Sequence, residues 1–486
     1  MAKNIQYTPA TAQMLTSLFA QLDAHWQGER DGMLRPGYSQ REQEAFEIVT
    51  KLAIAQGQDV YEDAMGNRIF ITPGLATSLP ISLGGSHLDA VPKGGRYDGP
   101  AGVAARMAAT HMLNEAGFMP VRGYAAIAFR NEESPWFGDY AVGSKLATAQ
   151  LPASFLDKPR KDSGRTLAAH MTELGIDAAA AAKHLRDGTK ALPVDRIHSF
   201  HEVHIEQGPL LTRGGYDVGI VNGIRGNVRF VNDAKVVFNG VAGHTGAVPG
   251  PERADAVAMG AEFVSAVRRK ILAWNKQGRD GVVAFPIAKT AAYANPTTIP
   301  DYYEVTVEVR SLDVNVLKDA QAMIVKAANK AAAAHGGQAA IERNKIVFNK
   351  PALMSNDLIA AMQDFTADAG IKSAVMPSGA GHDAAVLAWS GVDCIMTFVA
   401  HGNNGASHRP DEILGLMPEA APFAVGSCFA KAVMLDAMHI MRTCGDTQAL
   451  SVASGVGFVE ALLAQGGRVI YKQPRTQKAA VLKAKV

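Results

Sequence analysis

Short apolar runs that end at metal-binding side chains constrain the fold of this chain more than any other feature of its sequence. The run 79–83 leads through two glycines and Ser86 to His87, the run 124–129 leads to Glu132 and Glu133, and the run 394–399 precedes the loop that carries His408. Runs of this length are typical of buried strands. Because ligands collect at the carboxyl ends of strands in an open α/β sheet, the pattern predicts such a sheet with a site at that edge.

The same stretches offer the mixture of ligands that a two-metal centre requires. Hard divalent cations prefer carboxylate oxygens, zinc and related ions also accept imidazole nitrogen, and paired ions need one bridging carboxylate. Asp98 is the best candidate for the bridge. The candidate side chains, in chain order, are His87, Asp89, Asp98, Glu132, Glu133, His204 and His408.

Composition excludes several classes of protein. A chain of 486 residues with 48% apolar side chains can bury the cores of two or more domains. A formal charge of +2 gives no basic surface for nucleic acid or an anionic membrane, so a small-molecule substrate is expected. The cysteines, Cys394, Cys428 and Cys444, lack Cys-x-x-Cys spacing. With no secretory leader pattern and no membrane-spanning apolar run, we expect a cytoplasmic protein.

The order of predicted elements indicates an α/β catalytic domain that is interrupted by a smaller α+β sandwich. Strands are predicted at 228–238, 303–309 and 339–348, and helices at 254–274 and 316–334, so the insert is expected at 224–345. The catalytic domain would then comprise 1–223 and 346–443, followed by a C-terminal extension, 444–486. Helices are also predicted at 101–116, 167–185, 358–369, 418–441 and 452–465.

From about residue 30 to 440 the chain resembles the hydantoinase/carbamoylase branch of the di-zinc aminoacylase and carboxypeptidase superfamily. That branch includes N-carbamoyl-L-amino-acid hydrolases, allantoate amidohydrolases and beta-ureidopropionases. Each motif is weak alone, but together they are highly specific. The motifs are Ser86-His87-Leu-Asp89, Gly94-Gly95-Arg96-Tyr97-Asp98-Gly99, Asn131-Glu132-Glu133, His204-Ile-Glu-Gln207-Gly-Pro209, Gly243-His244-Thr-Gly246, Arg253-Ala-Asp255-Ala256, Glu308-Val-Arg310, Ser378-Gly-Ala-Gly-His382-Asp383 and Ser407-His408.

The resemblance implies a metal-dependent amidohydrolase with two divalent ions per subunit, zinc first, with manganese, cobalt and nickel as alternatives. One ion would be held by His87, Asp98 and His204, and the other by Asp98, Glu133 and His408. It also implies that Glu132 is the general base and that Asp89 supports the imidazole of His87.

The resemblance further implies roles for residues outside the metal ligands. His244 and Arg310, in the insert, would stabilise the oxyanion and bind the substrate carboxylate respectively, and Gln207 would contact substrate. The insert would serve as a lid and form a homodimer. The expected reaction cleaves an N-carbamoyl or N-acyl group from an amino acid or related carboxylic acid.

Two departures from the family pattern bear on the substrate. Trp136 stands where relatives usually carry a basic residue, so the substrate pocket is expected to favour an apolar or aromatic group. Thr297 stands where the family generally has asparagine, with Asn295 two residues earlier. We therefore treat Trp136, Thr297 and Asn295 as candidate substrate-binding residues.

Other interpretations of the same residues stay open. Singly, Glu132-Glu133 would be a solvated charge pair, His244 a turn residue, Arg310 a solvent-facing strand end and His382-Asp383 a structural loop. An aminoacylase or dipeptidase would use the same metals, although such relatives usually have an acidic residue at the position of His204. A non-catalytic binding protein that retains the fold is a further alternative, against which the intact Glu132 argues. A serine hydrolase fits poorly because there is no Gly-x-Ser-x-Gly motif.

Overall fold

A computed structural model describes residues 6–28, 30–75, 77–405, 407–414, 426–445 and 456–474. The chain divides into two compact units, which are described separately below. The first comprises Met1–Asn222 and Met354–Val486, and the second comprises Gly223–Leu353. The predicted insert began at 224 and ended at 345, so this second unit extends further at its carboxyl end.

A mixed sheet forms the centre of the first unit. Its four central strands, in spatial order Asp393–Val399, Ile197–Ile205, Ile81–His87 and Tyr124–Phe129, are parallel. Antiparallel strands extend it on both sides: Val218–Ile224 beside the first, and Arg68–Ile71, Asp59–Glu62 and Arg468–Tyr471 beyond the last. Ser373–Ser378 also pairs with Val218–Ile224. Ile81–His87 and Tyr124–Phe129 are buried along their whole length, as expected for parallel strands covered on both faces. Met33–Arg35 and Ala90–Gly94 pair as a separate two-stranded sheet.

Helices surround this sheet. Pro100–Glu115 and Ser427–Cys444 pack against each other and against the parallel strands. The helices of the first unit are Pro9–Leu22, Gln40–Ala55, Pro100–Glu115, Val142–Ala147, Leu167–Glu173, Ala178–Asp187, Leu210–Gly214, Asn356–Asp368, Asp383–Trp389, Gly402–Gly405, Ser427–Cys444 and Phe458–Ala464.

Two antiparallel four-stranded sheets and two long helices make up the second unit. The helices Ala256–Lys276 and Val314–Ala334 pack together and against the strands. Their shared core includes Phe230, Phe238 and Phe263, all fully buried. In spatial order the strands are Val282–Ala284, Val307–Ser311, Gly226–Phe230 and Val347–Asn349 in one sheet, and Ala288–Thr290, Tyr302–Val305, Val236–Asn239 and Gln338–Ala340 in the other. Gly243–His244 pairs separately with Thr298–Ile299, and Ala352–Leu353 pairs with Ile224 and Gly223.

The α/β fold class is confirmed, but several predicted elements are wrong in extent. The strand predicted at 228–238 is two strands, since a 3-10 turn at Asn232–Ala234 interrupts it. The helix predicted at 167–185 is two helices, because Gly175 between them has a φ of +74°. The helix predicted at 418–441 begins at Ser427, and 415–425 lies outside the described residues. That predicted at 452–465 begins at Phe458, and 451–455 likewise lies outside them.

Two further expectations concern single features of the chain. No helix among the described residues is both long and apolar enough to cross a membrane. Cys394, Cys428 and Cys444 are all buried free thiols. Of the C-terminal extension predicted at 444–486, residues 446–455 and those from 475 onward lie outside the described residues.

Candidate metal centre

The candidate ligands of the first unit converge at one edge of the parallel strands. His87 is the last residue of the strand Ile81–His87, and His204 is the penultimate residue of the strand Ile197–Ile205. Glu132 and Glu133 follow the strand Tyr124–Phe129. Because these three strands are parallel neighbours, their carboxyl ends carry the side chains to the same place.

One carboxylate oxygen of Asp98 faces two imidazoles. Asp98 Oδ1 lies 3.2 Å from His204 Nε2 and 3.6 Å from His87 Nε2. The other ring nitrogen of His204, Nδ1, donates to the Ile205 carbonyl at 2.9 Å, so Nε2 is the nitrogen that is turned toward Asp98. The ligand atoms of this trio lie close enough together to hold one metal ion.

The other oxygen of Asp98 faces a second cluster. Asp98 Oδ2 lies 3.4 Å from His408 Nε2, and His408 Nε2 lies 3.5 Å from Glu133 Oε1. These residues form a second group that could hold an ion. Asp98 therefore belongs to both groups through different oxygens, which is the arrangement expected of a bridging carboxylate.

Asp89 ties the imidazole of His87 to the loop that carries the two glutamates. Its Oδ1 lies 3.2 Å from His87 Nδ1 and accepts from the Glu132 amide at 2.9 Å, while Oδ2 accepts from the Glu133 amide at 3.1 Å. This fully buried carboxylate orients three candidate site residues at once.

Buried negative charge is concentrated beside these ligands. Burial is the main cause that raises the pKa of Glu132 and that of Glu133 well above the usual value, and neighbouring carboxylates add to it. Burial alone would raise the pKa of Asp98 too, but the imidazoles of His204, His87 and His408 outweigh it and hold that pKa well below its usual range.

Polar atoms of the cluster also lack partners. Within the described part of the chain, His87 Nε2, Glu132 Oε1 and Glu133 Oε1 are buried and have no hydrogen-bond partner. Unpaired buried polar groups and crowded carboxylates are costly unless a cation compensates them. The mixed nitrogen and oxygen donors suit zinc, manganese, cobalt or nickel, so these residues fit a divalent metal.

Unusual backbone conformations accompany the site. Asn131, Gln207 and His408 have φ values of +43°, +58° and +56°, in the left-handed region that non-glycine residues seldom occupy. Gly99 has a φ of +82°, and a Cβ there would lie 2.5 Å from the His87 ring. Strained residues of this kind concentrate at functional sites.

Gln207 lies against the second cluster. Its Nε2 donates to Asp98 Oδ2 at 2.8 Å and lies 3.4 Å from His408 Nε2. Ser407 Oγ donates to the same Asp98 oxygen at 2.9 Å. Gln207 is thus close enough to the candidate ligands to contact a molecule bound beside them.

Sequence reasoning missed Glu412, which holds two of the ligand loops together. Its buried carboxylate accepts from the backbone amides of Tyr97, at 3.0 Å, and of Asp98 and His408. Burial, followed by the charge of Asp98, raises the pKa of Glu412 to about 8. No motif marks this residue, since its contacts are with backbone far away in sequence.

His382 forms part of the site wall as well as a structural loop. Its ring packs edge-on against that of His204, with centroids 4.5 Å apart, and its Nε2 lies 2.9 Å from Ser378 Oγ. Burial, and then the charge of His204, lowers the pKa of His382 well below its usual value. A neutral ring at this position supports the orientation of His204.

Four other predicted site residues, His244, Asn295, Thr297 and Arg310, belong to the second unit. In the second unit, His244 is exposed and pairs with Thr298, and its Nδ1 accepts from the Gly246 amide at 3.1 Å. Asn295 Oδ1 accepts from Thr297 N and Oγ1, at 3.1 and 2.7 Å, so Asn295 and Thr297 form one local turn beside His244. Arg310 Nη2 lies 2.9 Å from Glu308 Oε1.

Trp136, in the first unit, is 3% exposed, and its indole N–H donates to the Ala90 carbonyl at 3.1 Å. It lines a cavity to which none of the candidate metal ligands contributes.

The chain matches known proteins over most of its length. Residues 83–419 match the profile of Peptidase family M20/M25/M40. The N-carbamoyl-L-amino-acid amidohydrolase of Pseudomonas sp. (strain NS671) is 30% identical over 78% of this chain and 88% of that protein, and the ureidoglycolate hydrolase of Arabidopsis thaliana is 29% identical over 77% and 76% respectively. A hydantoinase/carbamoylase family amidase from Burkholderia ambifaria superposes with a TM-score of 0.75 at 26% identity, covering 91% of this chain and 99% of that one.

The chain therefore belongs to Peptidase family M20/M25/M40. Within that family it is an amidohydrolase of the hydantoinase/carbamoylase branch, an enzyme that hydrolyses linear amide C–N bonds.

Proposed function

We propose that this enzyme is a metal-dependent amidohydrolase that removes an N-carbamoyl or N-acyl group from an amino acid or a related carboxylic acid. The observation that carries the proposal is the carboxylate of Asp98, whose two oxygens face two separate groups of nitrogen and oxygen ligands. His87, Asp98 and His204 would hold one divalent ion, and Asp98, Glu133 and His408 the other. Bound there, the ions would polarise the scissile carbonyl and acidify the attacking water.

Glu132 is the general base in this proposal. Its carboxylate is buried beside His87 and has an oxygen without a partner among the described residues, and burial raises its pKa, which makes it a stronger proton acceptor. Glu132 takes a proton from water as the water oxygen bonds to the carbonyl carbon. It then delivers that proton to the leaving nitrogen as the C–N bond breaks.

Residues around Glu132 orient it and the substrate. The Glu132 amide donates to Asp89, which fixes the backbone from which the side chain projects. Gln207 would bind substrate beside Asp98. We assign oxyanion stabilisation to His244 and carboxylate recognition to Arg310, whose planar fork matches a carboxylate. The names of the relatives, which act on N-carbamoyl amino acids and ureidoglycolate, support a substrate of this type.

We also infer a homodimer formed through the second unit. Its exposed large apolar side chains, including Val241, Ile287 and Tyr293, support an interface there. Sedimentation equilibrium tests this inference, and a monomer at micromolar concentration would contradict it.

Glu132→Gln is the decisive variant for the base. We expect turnover to fall by roughly 10²–10⁴-fold, because the amide cannot take a proton, while the bound metal measured by elemental analysis stays unchanged. Glu115→Gln, a matched change on an exposed helix end, should keep parental activity.

Substrates for this assay are N-carbamoyl, N-formyl and N-acyl amino acids and dipeptides, each tested after chelation and metal restoration. Parental turnover by Glu132→Gln would refute its role as base. Preference for dipeptides would instead favour a peptidase. Hydrolysis that survives complete chelation would refute metal dependence.

A further inference from the structure

A cavity of about 550 Å³ lies in the first unit. Its walls come from the segment 34–41, from Pro92 and Trp136, and from the segment 160–174. The candidate metal ligands and Glu132 do not line it. This volume lies within the range of small-molecule binding sites, about 300–1,000 Å³.

Apolar and aromatic side chains form much of this wall. The Trp136 indole and the Tyr38 ring are both buried, and Leu34, Pro36 and Leu174 add aliphatic surface. The polar edges of the two aromatic residues point to partners in the protein: Trp136 Nε1 donates to Ala90 and Tyr38 Oη donates to the Met65 carbonyl. Tyr38 is 0% and Trp136 3% exposed, so both rings lie beneath the wall, and the accessible apolar surface comes mainly from Leu34 and Leu174.

Cationic side chains complete the wall. Arg160 is only 7% exposed, and it donates through Nη1 to the Gly37 and Tyr38 carbonyls and through Nε to Asp162. These bonds fix the guanidinium, and they leave its other amino group, Nη2, without a partner among the described residues. A buried and immobilised arginine is preorganised for a carboxylate.

Two further arginines, Arg41 and Arg165, also line the cavity, against the acidic residues Asp162 and Glu173. Asp162 is paired to Arg160 and Glu173 to Arg165, so the remaining charge is positive. This positive charge also affects the pKa of His170, which lies on the same wall. Burial is the first cause that lowers its pKa, and Arg160 and Arg165 lower it further.

We propose that this cavity binds a small carboxylic acid with an apolar body at a site separate from the metal centre. The apolar body would pack against Leu34 and Leu174, and the carboxylate would accept from Arg160. A cation would be repelled by the guanidinium groups, and a neutral aromatic molecule would leave the Arg160 donor unpaired.

The test is equilibrium binding of phenylacetate to the full-length protein, measured by titration calorimetry. We expect one molecule per chain, with the neutral isostere phenylacetamide and inorganic phosphate each binding at least about tenfold more weakly, because one lacks the charge and the other the ring. Binding should persist after metal chelation and in Glu132→Gln, which separates this site from the active site.

Variants of the wall locate the ligand. Arg160→Lys keeps the charge but removes the fork and should weaken phenylacetate binding about tenfold. Because Arg160 also holds two backbone carbonyls, Arg165→Ala and Leu34→Ala provide independent tests, each with an expected loss of about threefold or more. Arg186→Ala, an exposed arginine away from the cavity, is the matched control and should leave the affinity unchanged.

Three outcomes would overturn the proposal: no binding at millimolar phenylacetate, binding abolished by chelation, or binding unaffected by both Arg165→Ala and Leu34→Ala. The second would place the ligand at the metal centre. Because none of these measurements depends on turnover, failure of the proposed hydrolytic function would leave this proposal standing.

Discussion

Asp89 exemplifies how much of this site depends on single buried residues. One carboxylate contacts the His87 ring and the amides of Glu132 and Glu133, so a candidate ligand of each ion and the proposed base share one support. Glu412 likewise supports several site residues with one carboxylate, since it accepts from backbone amides in the loops of Asp98 and His408. The site is therefore more sensitive to these supporting residues than their distance from substrate would suggest.

Gly99→Ala should damage the site through His87. Residue 99 has a φ of +82°, and the added methyl group would lie 2.5 Å from the His87 ring, which must then shift from the position in which it faces Asp98. We expect loss of bound metal and at least about a 10²-fold loss of turnover.

Gly117→Ala is the matched control, with a φ of +65° and open space where the methyl group would go. It should cost stability only, by about 1 kcal/mol. Equal metal content in the two variants would contradict the proposed contact.

His170 makes stability depend on pH. Its folded-state pKa lies below the ordinary value of about 6.5, first through burial, so the folded ring resists a proton that the unfolded chain accepts. The stability from the neutral ring is thus fully present above pH 6.5 and is lost as pH falls below it. In His170→Gln, the fall in unfolding free energy between pH 7.5 and 5.5, measured with urea, should be shallower. An unchanged slope would contradict this.

At the scale of elements, sequence periodicity located most helices and strands but not their interruptions. The helix predicted at 101–116 is found as Pro100–Glu115. The strand predicted at 228–238 is in fact two strands. The sequence predicted one strand because Val228 and Phe230 before the turn, and Val236 and Phe238 after it, are all apolar, buried residues at even positions. Alternation continues through the turn, so the pattern does not reveal it.

The candidate site residues likewise differ in how far the sequence could predict them. Those that end or follow strands, such as His87 and Glu133, could be predicted from the apolar runs before them, together with the family motifs. Glu412 could not, because it reaches Tyr97 over 315 positions of sequence and recognises backbone, which carries no residue-specific signal.

Arg106 joins the helix Pro100–Glu115 to the helix Ser427–Cys444 and to the sheet. It is fully buried and donates to Asp436 at 2.8 Å, to the Ala125 carbonyl at 3.0 Å and to the Ser82 carbonyl at 2.9 Å. Asp436 also lies 2.9 Å from His201 Nδ1. Asp436, His201 and His439 form another group of metal-binding residue types, but the adjacent Arg106 guanidinium already supplies the positive charge.

Arg106→Met should therefore cost about 3–5 kcal/mol of unfolding free energy, because Asp436 is left as a buried charge without its cation. Adding Asp436→Leu should recover part of that loss. Urea denaturation measures both variants, with the exposed Arg186→Met as control within about 0.5 kcal/mol of the parent. A loss below about 1 kcal/mol in the single variant would show that the ion pair is not an important connection.

At the scale of the whole molecule, the two compact units carry different candidate functions. The residues proposed to hold metal and Glu132 belong to the first unit, whereas His244 and Arg310 belong to the second. Metal binding and substrate recognition should therefore be separable by mutation.

His244→Ala should lower kcat by roughly 10²–10³-fold while leaving the bound metal unchanged, as expected for loss of an oxyanion donor. Arg310→Ala should chiefly raise KM. His335→Ala, in the same unit, is the control for both. Loss of metal in either of the first two variants would contradict this division of roles.

The outermost strand, Arg468–Tyr471, completes the edge of the central sheet on Asp59–Glu62. Arg468 and Glu62, joined by an ion pair, are 406 positions apart in the chain. A ribosome adding about 5–20 residues per second needs roughly 20–80 s to make that interval. Throughout that time the nascent protein presents an open strand edge, so chaperone binding during translation should concentrate on the first strands of this sheet.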